Sequence, residues 1–427
     1  MHSYQLDTSN NNNAELHFIA IKGYIIMISK LAGIVGQTRV TGRYAHINVG
    51  CISKRTISTS TDEIVSVETV PSIMDKKFEI PEKSVIFSGI QPTGAFHLGN
   101  YFGAVRNWRD FQNRIERDNI DSKLLFFVAD LHSLTVSQDF NTLYRKRIEA
   151  YASLLACGLD PHKATIFFQS EIPEIPKLQW ILSCICGMGQ LNRMTQWKSK
   201  ANLRKDANIA EELGKVKLGL FTYPVLMAAD ILTFNATHVP VGKDQSQHLE
   251  LTRDLVDVFN RQTKSDFLHS PMTLLAPTMK VLSLKNPEKK MSKSDSDEMS
   301  KVFITEDAKS IRRKFNKALT DSIEGKITYD PVKRPAVSNL IAILAAAESK
   351  PIKTVAKEVQ DFTKKELKDA VSEAVIKELK EPAERYNQLM KDPVGLDKLS
   401  RLGSEKARSL ASKNLKVISH LTGMGWW

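Results

Sequence analysis

Five consecutive apolar residues, Leu124–Val128, run directly into Ala129-Asp130-Leu131-His132. A run this short with no polar face fits a strand covered on both sides, and the polar residues after it place functional groups at its carboxyl end. Comparable runs recur. Ser84–Ser88 leads into Gly89 and the turn Gln91-Pro92-Thr93-Gly94, Thr165–Gln169 forms a third, and Thr237–Val241 a fourth. Helical stretches alternate with them. Tyr101–Phe111 carries Tyr101, Val105, Trp108 and Phe111 on one face; Thr142–Cys157 is stopped by Gly158 and Pro161; Pro224–Leu232 and Gln245–Arg261 follow. Strands alternating with helices predict an α/β fold, a doubly wound parallel-sheet (Rossmann-type) domain. From Asp307 onward the pattern is mostly helical. Lys364–Lys380 has the stripe Leu367, Val371, Val375 and Leu379 and is expected to stop before Pro382. The expected division is a leader and linker over 1–82, the Rossmann-type domain with a helical insertion over 83–304, and a helical domain over 305–427.

The leader has its own composition. Between Leu16 and Thr61 there is no Asp or Glu, but there are Lys22, Lys30, Arg39, Arg43, Lys54, Arg55 and the hydroxyl-rich run Thr56–Thr61. Basic, Ser-rich and acid-free is the composition of a mitochondrial transit peptide, so the mitochondrial matrix is the expected location. Asp7, Glu15 and the run Asn10–Asn13 spoil the pattern upstream, which suggests Met27 as the working start. Lys22 and Lys30 interrupt the apolar segment Leu16–Val35, so no stretch reaches the ~18–20 apolar residues of a spanning helix and membrane insertion is not expected. The chain of 427 residues carries net charge +12, and residues 1–61 account for only +4 of it. The remainder is still basic, which favours a polyanionic partner such as nucleic acid. The four cysteines, Cys51, Cys157, Cys184 and Cys186, form no disulfide-like or CxxC framework, and Cys184 and Cys186 read as core thiols. No metal site is expected.

Neither GxGxxG nor GxxxxGK[ST] is present, which removes the main support for dinucleotide and P-loop readings. Two other motifs stand in order. Gly89-Ile90-Gln91-Pro92-Thr93-Gly94-Ala95-Phe96-His97-Leu98-Gly99-Asn100-Tyr101 resembles the first signature of the class I aminoacyl-tRNA synthetases. Lys290-Met291-Ser292-Lys293-Ser294, about 190 residues downstream, is that family's second signature without substitution. The chemistry implied is attack of an amino-acid carboxylate on the α-phosphate of ATP. Negative charge then builds on phosphoryl oxygens and calls for cations and N–H donors placed beforehand. His97 at a helix N-terminus, with Asn100, and the loop lysines Lys290 and Lys293 are the expected catalytic groups. Gly99 lacks a Cβ and is expected to let adenine or ribose approach closely. The resemblance fills the ATP site with Gln91, Pro92, Thr93, Gly99, Asn100, Gly242, Lys243, Asp244, Val281, Lys290, Met291, Ser292, Lys293 and Ser294. Mg²⁺ accompanies ATP as its substrate complex, and no prosthetic group is implied. Asn100 departs from the general class pattern, where a second His stands, and Lys243 stands where an acidic residue is expected.

The likeness to the bacterial-type tryptophanyl branch runs from about Val85 to Gly423. It includes Arg193-Met194-Thr195-Gln196-Trp197-Lys198, Tyr223–Leu232, Val239–Gln245, His248–Asp254, Thr320-Asp321-Ser322, Tyr329-Asp330-Pro331 and Ser338-Asn339-Leu340. It implies that Asp230 accepts the indole N–H of L-tryptophan, a ring with one donor and no acceptor. Such a carboxylate would be left unpaired if phenylalanine entered. Phe87, Met227 and Val241 would wall the ring, Tyr223, Gln245 and Gln91 would hold the amino and carboxylate groups, and His132 would lie near ring or ribose. Lys198 and Lys200 are candidates for pyrophosphate or the tRNA end. Lys309, Arg312, Arg313, Lys314 and Lys317 form a basic run suited to phosphate contacts in a helical anticodon-binding domain. The family implies tRNA(Trp), ATP and a second copy of the chain as partners. Two other readings stay open: a tyrosine–tRNA ligase, and an RNA-binding protein that kept the fold without catalysis.

Overall fold

The computed structural model describes residues 79–425, except 205, 211, 213, 215 and 276–279. The expected leader, apart from its last four residues, lies outside the described residues, as do Met27 and Cys51.

Among the described residues five strands form one sheet: β1 (Val85–Ile90), β2 (Lys123–Val128), β3 (Thr165–Phe168), β4 (His238–Val241) and β5 (Met272–Leu275). Their order is β3-β2-β1-β4-β5 and every neighbouring pair is parallel. The chain builds outward from β1 to β3, then returns to place β4 on the other side of β1. The strand order therefore reverses between β1 and β4, and a crevice opens at their carboxyl ends. Period-two alternation sorts side chains onto two cores. Leu124, Phe126 and Val128 point to one face of β2, and Leu125 and Phe127 to the other. Each such side chain, fully buried, contributes roughly 1.5–3 kcal/mol.

After β1 the chain enters α1 (Leu98–Asn100), passes through the π-helical turn Tyr101–Val105 and continues as α2 (Arg106–Asp118). Tyr101, Val105, Trp108 and Phe111 are all buried, and Trp108 stacks on Phe126 at 4.8 Å. On the same face lies α3 (Phe140–Ala156). The opposite face is covered by α4 (Glu174–Ile185), α5 (Leu218–Thr233) and α6 (Ser246–Thr263). The C-terminal part supplies α7 (Ala308–Asn316), α8 (Pro335–Ala347), α9 (Lys364–Lys391) and α10 (Pro393–Leu421).

Several elements differ from the sequence expectation. Helix α9 does not stop before Pro382 but runs through it to Lys391. Its buried stripe Leu367, Val371, Val375 and Leu379 continues as Pro382 and Tyr386. Packing against α3, α7 and α8 outweighs the ~3 kcal/mol that an interior proline costs. Helix α5 begins at Leu218, six residues before Pro224. Strand β5 carries only four residues, too few for a periodicity to register. Cys184 and Cys186 are not core thiols: Cys184 is exposed and Cys186 half-buried. The buried face of α4 is made by Ile175, Leu178, Ile181 and Leu182, which turns Cys184 outward, and Cys186 lies past the helix end.

Helix α10 lies against the outer strand β3 and α4. The approach is close at Gly403, where a Cβ would fall 1.8 Å from the carbonyl oxygen of Ile166. Ala407, Ala411, Leu415 and Ile418 of this helix join the core beneath α4 and α5. Residues 79–425 accordingly stay within one compact unit. Among the described residues no helix is long and apolar enough to cross a membrane.

Candidate active site

The crevice between β1 and β4 holds a cavity of about 340 Å³. Phe87, Gln91, His132, Tyr223, Met227, Asp230, Val241 and Gln245 all line it, as do Gly242, Lys200 and, from the π-helical turn, Gly103 and Ala104. Its apolar wall is rigid because Phe87 stacks on Phe127 at 4.8 Å and on Phe234 at 5.3 Å.

Asp230 sits in α5 with 1% of its surface exposed. Burial raises its pKa above the ordinary carboxylate value, against the hydrogen bonds of His132 and Gln169; Asp130 raises it further. The carboxylate is not bare. Gln169 Nε2 donates to Oδ1 at 2.7 Å and to Oδ2 at 2.9 Å, and His132 Nε2 lies 2.9 Å from Oδ2. Two side chains therefore hold the carboxylate before any ligand enters.

A second chain of groups lines the other side of the cavity. Gln245 Nε2 donates to Asp244 at 2.7 Å, which turns its carbonyl toward His248 Nδ1 at 2.9 Å. The proton then resides on Nδ1, and His248 Nε2 accepts from the Tyr223 hydroxyl at 3.1 Å. Burial pushes His248 down to about 4, with Lys200 and His132 adding to the effect, so it is neutral at physiological pH. Burial also pushes the Tyr223 phenol up. Lys200 rests its ammonium 4.3 Å from the centre of the Tyr223 ring, and burial lowers its pKa. Lys198, by contrast, is buried beside the Trp197 ring at 5.5 Å, off the cavity.

The phosphate side is built on His97. Its Nδ1 caps the helix, accepting from Gly99 N at 2.9 Å and Asn100 N at 3.3 Å, and Asn100 Oδ1 accepts from His97 N at 3.3 Å. Burial, reinforced by Lys293, Lys290 and Lys301, pushes His97 down to about 3. A neutral ring with Nδ1 accepting carries its proton on Nε2, as a donor. The absence of a Cβ at Gly99 serves this cap, because a Cβ there would meet His97 Cε1 at 2.7 Å. The histidine ring therefore needs that space whatever else approaches Gly99.

The second signature folds beside the first. Leu98 N donates to Val302 O and Ile304 N to Phe96 O, both at 2.9 Å. Met291 is buried, its N–H bonded to Val281 O at 2.9 Å, and Val281 Cβ stands 3.9 Å from the Cβ position at Gly99. Lys293 Nζ donates to Gly94 O at 2.9 Å and lies 5.4 Å from the Phe96 ring centre. Burial pushes it down to about 7, partly offset by Glu149. Lys290, Ser292 and Ser294 are exposed, with the two hydroxyls 2.9 Å apart. Pro92 is buried and Thr93 exposed in the tight turn between the strand and the cap.

Residues 81–380 match the family model of class I tRNA synthetases (W and Y). The chain belongs to this family. The mitochondrial tryptophan–tRNA ligase of Saccharomyces cerevisiae is 48% identical over 373 residues, which cover 84% of this chain and 98% of that one. The tryptophan–tRNA ligase of Rickettsia bellii is 41% identical over 80% of this chain and 99% of its own. The crystal structure of tryptophanyl-tRNA synthetase from Campylobacter jejuni, complexed with ADP and tryptophan, superposes with a TM-score of 0.64 at 31% identity. It covers 79% of this chain and 99% of that one.

Three groups of this synthetase escaped the sequence reading: Gln169, His248 and Lys301. Gln169 ends an apolar run and looked like strand, and His248 sits in a matched stretch with no role attached. Lys301 is 2% exposed and donates its ammonium to the carbonyls of Lys293 and Asp295, with Glu298 3.0 Å away. The expected basic run also thins. Lys314 is buried against Glu306 at 2.5 Å, and Arg312 pairs with Glu373 at 2.7 Å. Lys309, Arg313 and Lys317 remain exposed.

Proposed function

We infer that this synthetase activates L-tryptophan with ATP and transfers it to tRNA(Trp) in the mitochondrial matrix. The observation that carries the choice of amino acid is Asp230, a buried acceptor at the wall of a cavity otherwise largely apolar. Indole offers a single N–H donor and an apolar bicycle, and this site answers both. Relatives named as mitochondrial tryptophan–tRNA ligases and the tryptophan-bearing neighbour support the same reading. They count against a tyrosine ligase and against a non-catalytic RNA binder, as does the intact set of His97, Lys290, Lys293 and Asp230.

In this reading, Phe87, Met227 and Val241 enclose the ring. Tyr223, Gln245 and Gln91 turn the tryptophan carboxylate toward the α-phosphate. ATP enters as its Mg²⁺ complex along Gln91–Thr93, Asn100, Gly242–Asp244 and the 281–294 segment. The Nε2–H of His97 and the ammonium groups of Lys290 and Lys293 meet the charge that develops as the carboxylate oxygen bonds to the α-phosphorus and pyrophosphate leaves. Lys293 must leave Gly94 O to do so, and the triphosphate offers a stronger partner than a carbonyl. A 2′-hydroxyl of the tRNA terminal adenosine then attacks the adenylate carbonyl and releases AMP. The helical part over 305–427 would read the anticodon. Trp180, Met188 and Leu218 expose 71%, 64% and 75% of their surface on neighbouring helical segments. Exposed apolar side chains of this kind fit contact with a second copy of the chain.

Charging of total mitochondrial tRNA with labelled tryptophan, tyrosine and phenylalanine in parallel tests the reading. Tryptophan alone should be incorporated; incorporation of tyrosine alone would move the chain to the sister branch.

A further inference from the structure

We propose that Gln169 sets the specificity of the pocket by holding the Asp230 carboxylate with one acceptor position, on Oδ1, open to an incoming N–H donor. The proposal rests on the tryptophan reading and goes beyond it by naming what makes Asp230 selective. An ionised carboxylate has about four acceptor positions. His132 takes one on Oδ2, and Gln169 Nε2 is shared between Oδ1 and Oδ2. The acceptor capacity left on Oδ1 belongs to a side chain that lines the cavity. A ligand bearing N–H completes the set. A ligand presenting sulfur, carbon or an oxygen lone pair leaves a buried acceptor uncovered, which costs more than the missing bond gains.

The amide cannot turn over without loss. Gln169 Oε1 accepts the backbone N–H of His132 at 3.2 Å, so Nε2 faces the carboxylate; a flipped amide would set oxygen against oxygen. The backbone on either side is pinned as well. Asp130 accepts from Ser170 N at 2.9 Å, Ser170 Oγ at 2.6 Å and Leu131 N at 3.0 Å, and from Arg147 Nε at 2.6 Å. Gln169 itself is fully buried, and it does not line the cavity. It is therefore a positioning residue, acting on the ligand through Asp230.

The test is ATP–pyrophosphate exchange by wild type, Gln169→Met and Gln169→Glu with two substrates. One is L-tryptophan. The other is β-(benzothiophen-3-yl)-L-alanine, which keeps the bicycle and replaces N–H by sulfur. In Gln169→Met, kcat/KM for tryptophan should fall about 10- to 100-fold, the range of one hydrogen bond to a charged group. The benzothiophene analogue should change less than about threefold, and KM for ATP should stay put. Gln169→Glu, which sets a second carboxylate against the first, should lose the preference in the same way and serves if the Met variant folds poorly. Equal losses for both substrates, or a preference for tryptophan that survives both substitutions, would overturn the proposal while leaving the tryptophan reading intact. A wild-type enzyme that activates neither substrate overturns the functional reading and the proposal with it.

Discussion

Replacing Lys301 with Met should damage ATP use while sparing tryptophan binding. The ammonium of Lys301 is buried and ties the backbone at Lys293 and Asp295, so it fixes the path of the second signature from beneath. Methionine fills similar volume without a donor. A hydrogen bond to a charged group contributes about 1.5–3 kcal/mol. The freed carbonyls belong to an exposed loop and can turn to water, and Glu298 is already solvated, so global stability should change little. The loss appears instead as the entropy of ordering a looser loop over the triphosphate. About 2 kcal/mol corresponds to a roughly 30-fold fall in kcat/KM for ATP. Pyrophosphate exchange at saturating tryptophan with ATP varied reads this directly. KM for tryptophan should move less than about twofold, because its pocket is built on β1, β4 and α5. An unchanged ATP dependence, or a parallel rise in both KM values, would refute the view that Lys301 shapes the loop.

Three further outcomes follow from the same geometry. Lys293 is held down to about 7, so in the free enzyme it is charged below that pH and neutral above it; kcat/KM for ATP should fall as pH rises through about 7, and Lys293→Arg, which stays protonated, should remove that limb whatever its absolute rate. Gly403→Ala sets a Cβ against a backbone carbonyl that cannot swing aside; α10 must lift from β3 at about 1–3 kcal/mol or more, visible in thermal or urea unfolding, with KM values unchanged in the folded fraction. Trp180→Asp should lower the mass seen in light scattering toward that of a single chain, since a charge would replace an exposed indole on the face proposed to meet a second copy.

The parallel sheet was legible because β2 is so short and so apolar that only a doubly covered strand accommodates it. Asp130 and His132 after it then had to fall at the crevice. Sequence spacing could not supply the partners that residues acquire through space. Gln169 meets Asp230 across 61 positions, and nothing in either segment marks the pairing. Lys314 and Lys198 read as exposed cations, yet both are buried, one on a carboxylate and one beside an indole ring. Pro382 carries a strong local signal against helix that tertiary packing overrides. The route of α10 back onto β3 rests on a missing Cβ at Gly403, a feature whose meaning depends on a carbonyl more than 200 residues away. Local rules therefore recovered elements and signatures, and failed where one side chain's role is set by a distant neighbour.

The central claim is that the pocket around Asp230 selects tryptophan for activation beside the paired signatures. ATP–pyrophosphate exchange by protein lacking residues 1–61, run with each of the twenty amino acids, tests it most directly. The account predicts exchange with tryptophan alone, abolished in Asp230→Ala and in Lys293→Ala. Exchange with another amino acid, or exchange with tryptophan that survives Asp230→Ala, would contradict it.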